Sequence, residues 1–141
     1  MDDTPCICTG LRGAALTVTR LYDDALAPTG LKVTMYRLLR RVENHPGANI
    51  TDLASAVGLD RSTLGRNLRV LAREGLVSFG AGDDDRARSV TLTDEGARRL
   101  AAAEPAWRSA QDRMRKLLGP DAEAFLSTIH SVSHINAEPQ S

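Results

Sequence analysis

The chain has 141 residues, a length for one domain whose core needs no disulfide or metal to hold it. Eighteen Lys and Arg balance eighteen Asp and Glu, and a formal charge of zero argues against a uniformly basic, histone-like protein that coats nucleic acid. Aromatic residues are only 4% while Ala and Leu dominate, which favours a helical fold over a sandwich or barrel.

Met1-Asp2-Asp3 carries no basic segment leading into an apolar run, and no stretch approaches the roughly 20 apolar residues of a membrane span. The expected location is cytoplasmic, with no membrane partner. Cys6 and Cys8 are too few and too close to staple a secreted fold. Leu11, Ala14, Ala15, Val18, Leu21, Tyr22 and Ala25 recur at helical spacing and predict a first helix ending before Pro28-Thr29-Gly30. Met35, Tyr36, Leu38, Leu39 and Val42 predict a second, stopped by His45-Pro46-Gly47. A short third helix spans Thr51 to Val57 and meets Gly58, suited to a left-handed C-cap. The fourth starts after Asp60, a good N-cap, and runs to Gly75. Leu76 to Phe79 and Ser89 to Leu92 read as strands of a hairpin around the polar turn Gly80 to Arg88. From Thr93 a helical period persists to Gly119-Pro120, with Pro105 either kinking or dividing it. If continuous, that helix is roughly 36 Å long, more than a globule of this size needs. A last helix carries Phe125, Leu126, Ile129, Val132 and Ile135, followed by a polar tail.

The fourth helix carries the chemistry. At about 100° per residue, Ser62, Arg66, Arg69 and Arg73 share one side, and Leu64, Leu68 and Leu71 the opposite one. Between Arg61 and Arg73 stand four Arg and no acid, so a neutral chain contains a locally basic helix. Arg bonds guanine O6 and N7 through a bidentate fork, Asn67 and the Ser62 and Thr63 hydroxyls can reach other base edges, and a helix fits the major groove. On an isolated helix such a face would merely be solvated. Here a short helix, a turn and the Arg helix precede a hairpin, the order of a helix-turn-helix followed by a wing. Thr51 and the first amides of the third helix would face a phosphate. Arg86 and Arg88, beside Asp83-Asp84-Asp85, sit where a wing can enter the minor groove, or where a solvated turn holds internal ion pairs.

The chain resembles the MarR family of winged helix-turn-helix transcriptional regulators over nearly its whole length. The resemblance is carried by Asp52-Leu53-Ala54, by Val57 through Leu64, by Leu71-Ala72-Arg73-Glu74-Gly75-Leu76-Val77, by Asp84-Asp85-Arg86 and by Val90 through Gly96. It implies a mainly α fold with a small β-hairpin wing. Residues 1–30 and 94–141 would form the dimerisation helices and residues 31–93 the DNA-binding region. It also implies a homodimer on a pseudo-palindromic double-stranded operator, with Arg86 the minor-groove Arg and Ser62, Thr63, Arg66 and Arg69 base readers. Apolar stripes on the first and last two helices ask for the same dimer independently, since the small reading region cannot cover them.

MarR-like regulators commonly answer to a small, often phenolic effector or to cysteine oxidation. Tyr22, Tyr36, Arg40 and Trp107 are the effector candidates, although aromatics at helical spacing are more often core. Cys6 and Cys8 are the redox candidates: a thiol near a helix start has its pKa lowered by the dipole. The competing reading is a pair of small residues at a dimer seam. His130 and His134 share a helical face, read as surface histidines rather than a metal site. The sequence holds no nucleophile elbow, P-loop, zincin helix or Rossmann fingerprint, so neither an enzyme nor a cofactor is expected. A winged-helix module used only for protein contacts would expect a neutral or apolar reading face.

Overall fold

Helix α1 (Ile7–Leu26) ends where the Ala27–Thr29 turn introduces Pro28 and Gly30 takes a φ of 74°, open to glycine at no steric cost. In this computed structural model residues 3–57, 60–81 and 87–135 are described. Gly58, a predicted C-cap, and residues 82–86, which include Gly82, Asp83 to Asp85 and Arg86, lie outside them. α2 (Val33–Asn44) follows at once, and its first amide is capped from a distance: Val33 N–H donates to Asp23 Oδ1 of α1 at 2.8 Å.

The reading lobe follows the predicted order, with α3 (Ile50–Val57), α4 (Arg61–Arg73), β1 (Val77–Phe79) and β2 (Val90–Leu92). The strands are antiparallel, Val77 opposite Leu92 and Phe79 opposite Val90. A further bridge, Asn49 to Ser89, with Val90 N–H donating to Ala48 C=O at 3.0 Å, ties the start of α3 to the hairpin. The core is built from the predicted stripes: Leu38, Leu39 and Val42 of α2, Leu53 of α3, Leu64, Leu68 and Leu71 of α4, and Val77 and Val90 of the strands are all buried. Burying side chains of this size stabilises the lobe by roughly 1.5–3 kcal/mol each.

α5 (Asp94–Leu118) is one helix of 25 residues, continuous through Pro105. Pro105 has no N–H to give the Ala101 carbonyl, and both residues lie on the exposed side of the helix. Its start is clamped to the hairpin. Thr93 Oγ1 donates to Gly75 C=O at 2.6 Å and accepts from Gly96 N–H at 3.0 Å. Gly96 packs so closely that a Cβ there would stand 1.9 Å from the Leu76 carbonyl oxygen. Leu100 and Ala103 then enter the core. α6 (Ala122–Ser133) buries only Ala122 and leaves Phe125, Leu126 and Val132 exposed, as α1 leaves Ile7, Leu11 and Leu16. No helix among the described residues is long and apolar enough to cross a membrane.

Candidate nucleic-acid interface

The start of α4 is set by Asp60, whose extended backbone (φ −69°, ψ 154°) and side chain make it the N-cap. Its Oδ1 accepts Thr63 N–H at 2.7 Å and its Oδ2 accepts the Thr63 hydroxyl at 2.9 Å. These two bonds, with Arg66 adding its charge, hold the Asp60 carboxyl below the usual carboxylate range. Arg66 Nη2 in turn donates to Thr63 Oγ1 at 3.4 Å. Ser62, Arg66, Arg69 and Arg73 are exposed on one face, Arg61 is exposed beside them, and Asn67 is half-buried. The Arg69 guanidinium lies back over Gly65, 3.6 Å from where a Cβ would sit. Thr63 is thereby a capping residue whose hydroxyl proton is already committed.

Thr51 is exposed in the first turn of α3. The next amide is engaged: Asp52 N–H donates to Asn49 Oδ1 at 2.8 Å while Asp52 Oδ2 accepts Asn49 N–H at 3.3 Å, a reciprocal capping box. A phosphate approaching this helix start meets the Asp52 carboxylate as well as Thr51. Arg88 is half-buried, two residues before β2 on the turn side of the hairpin.

The effector candidates divide. Tyr36 is fully buried, stacks on Trp107 at 5.6 Å between ring centroids, and accepts from Arg40 Nη2 at 3.1 Å. This bond raises the Arg40 pKa, with Glu43 adding to it. Arg37 covers the Trp107 ring at 5.4 Å. Glu104 meets both Arg40 (3.5 Å) and Arg108 (2.5 Å), and the Arg108 bond chiefly lowers its pKa. Tyr22 instead donates to Gln111 across α1 and α5, and its burial raises its pKa. The four residues therefore pack as contacts of α1, α2 and α5. An open groove of about 520 Å³ lies elsewhere between α1 and α5, with Arg20, Leu21, Ala25, Ala110 and Arg113 among its lining. Arg37, Glu104 and Gln111 were not singled out from sequence; only the i, i+4 spacing of Glu104 and Arg108 is a local signal.

Cys6 is the N-cap of α1, and Cys8 lies in its first turn; both are exposed free thiols. The Thr9 hydroxyl and Thr9 amide lower the Cys6 pKa from its ordinary value. His130 and His134 lie with ring centroids 4.4 Å apart, and His134 Nδ1 is bonded to the His130 carbonyl at 2.8 Å. No cluster of three metal-ligating side chains is found among the described residues.

A helix-turn-helix with a hairpin wing and an acid-free Arg face defines the class, a winged-helix DNA-binding regulator. Residues 31–90 match the sequence profile of the MarR family. The HTH-type transcriptional regulator PetP of Rhodobacter capsulatus is 32% identical over 90 residues, which is 63% of this chain and 54% of PetP. This chain thus matches about half the length of that curated relative. The transcriptional regulator MosR of M. tuberculosis, solved in complex with DNA, is 32% identical, with a TM-score of 0.80 over 92% of this chain and 97% of its own. The transcriptional repressor CouR bound to a 23-mer DNA duplex is 28% identical, with a TM-score of 0.79 over 91% of this chain and 92% of its own. CouR bound to p-coumaroyl-CoA superposes at a TM-score of 0.82, with 26% identity over 92% of this chain and 93% of its own. The chain belongs to the MarR family of transcriptional regulators.

Proposed function

We propose that this chain is a cytoplasmic repressor that binds a pseudo-palindromic operator as a homodimer and releases it when a small aromatic effector binds or when Cys6 and Cys8 are oxidised. The observation that carries the reading is the α4 face, where Ser62, Arg66, Arg69 and Arg73 are exposed together and no acid lies between Arg61 and Arg73. Arg61, Asn67, Thr51 and Arg88 would add contacts around it, and Arg86 would enter the minor groove. Residues 31–93 do the reading, and residues 1–30 and 94–141 pair the two copies. Apolar side chains left exposed on α1 and α6 support that pairing.

Two features support release. CouR has been solved with an aromatic acyl-CoA, and the Tyr36, Trp107 and Arg40 cluster joins α2 to α5, so a ligand that rearranged it would move the reading lobe against the long helix. At the other end, the lowered Cys6 pKa favours the thiolate, the form that oxidants attack.

Gel shifts on DNA upstream of the chain's own gene test both parts. A retarded complex, competed by its own duplex and not by a scrambled one, is expected. Peroxide is expected to dissolve it, with recovery on adding thiol, and Cys6→Ser, Cys8→Ser is expected to be indifferent to peroxide. Equal responses of the two proteins rule out the cysteine trigger, and a complex unmoved by a panel of aromatic acids and their CoA thioesters rules out the aromatic one.

A further inference from the structure

We propose that Asp60, which reads no base itself, positions the base-reading Arg66 through the hydroxyl of Thr63. The inference rests on the reading of α4 as the recognition helix. An exposed Arg samples many rotamers, and ordering it on a base edge costs binding free energy that a pre-set side chain avoids. Here the setting is built in two steps. The Asp60 carboxylate accepts both the amide and the hydroxyl of Thr63, at 2.7 and 2.9 Å, and so fixes the direction of the single hydroxyl proton. Thr63 is β-branched and stiff at χ1, so its lone pairs are held in a defined place. One of them receives Arg66 Nη2 at 3.4 Å, drawing the guanidinium toward the start of α4, the end of a recognition helix that meets base edges.

The relay leaves Arg66 free to act. It makes no direct ion pair among the described residues, and with one of five N–H donors engaged it keeps enough for a bidentate contact. Asp60 also takes the Thr63 amide, one of the donors with which a helix start would otherwise hold a phosphate. Thr63 accordingly passes from base reader to positioning residue, and Asp60 joins it.

The test uses a duplex selected by the unchanged protein from a random-sequence pool, with a scrambled duplex of equal composition as reference. Thr63→Val keeps the shape and the amide bond to Asp60 and removes the hydroxyl; it is expected to lower the ratio of selected to scrambled affinity roughly tenfold. Thr63→Ser, which restores a hydroxyl, is expected to recover most of that ratio. In an Arg66→Ala background, Thr63→Val is expected to have no further effect. A Thr63→Val chain with its full ratio overturns the relay. So does a second, equal loss in the Arg66→Ala background, which would make Thr63 itself the base contact. An Arg66→Ala chain as selective as the unchanged one overturns the reader assignment, and the relay with it.

Discussion

Cys6 and Cys8 sit two residues apart at one helix start, yet only Cys6 occupies the cap, and the nearby Thr9 hydroxyl and amide lower its pKa. The thiolate is the alkylating form, so lowering the Cys6 pKa moves its reactivity to lower pH. In a Cys8→Ser chain, the iodoacetamide rate is expected to rise with pH through a midpoint below that of an unstructured Cys peptide. Thr9→Val should move that midpoint back up, because the largest stabilising contact is gone. Coincident midpoints for the folded chain and the peptide would refute a tuned thiol. That these thiols lie near a helix start was legible in the sequence, but the apolar period begins only at Leu11, so the exact cap at Cys6 and the part played by Thr9 were not. Asp60, in contrast, was legible as an N-cap, but its second bond to the Thr63 hydroxyl was not.

Among the elements, those with a strong period and a local stop were readable. α4 between Asp60 and the left-handed Gly75 (φ 77°) is the clearest, and α2 and the hairpin strands differ from expectation by a residue or two at their ends. Contacts between distant elements were not. Tyr22 was grouped with Tyr36 and Trp107 on chemistry, whereas the fold gives it Gln111, 89 residues away. The cap of α2 is of the same kind. Lys32, at its N-cap position, supplies no side-chain bond, and Asp23 of α1 supplies the acceptor. Asp23→Ala is expected to destabilise the fold by about 1 kcal/mol, read as a lower urea midpoint at unchanged slope, and Asp23→Asn by less, since an amide oxygen still accepts. An unchanged midpoint for Asp23→Ala would show the bond to be dispensable.

At the scale of the molecule, the exposed apolar side chains gather at the helices outside the reading lobe: Ile7, Leu11 and Leu16 on α1, Leu117 at the end of α5, and Phe125, Leu126 and Val132 on α6. Leu126→Glu is expected to shift sedimentation toward the single chain and to weaken operator binding far more than binding to scrambled DNA, because two linked half-sites multiply selectivity. Sedimentation of the variant as the unchanged species would remove α6 from the contact. The zero net charge hides an uneven distribution: α4 carries four Arg and no acid, so the rest of the chain is net negative. The clamp of Gly96 on Leu76 gives the geometry of the two linked half-sites a tolerance. α5 spans about 37 Å from the hairpin to its apolar end, and the backbone contact of Gly96 with Leu76 together with the Thr93 bonds couples its start to the hairpin. A tilt of roughly five degrees at the apolar end therefore sweeps the hairpin through about 3 Å, close to the spacing of one base-pair step. The proposed release of DNA would then need no unfolding and no large hinge, only an angular change of that size.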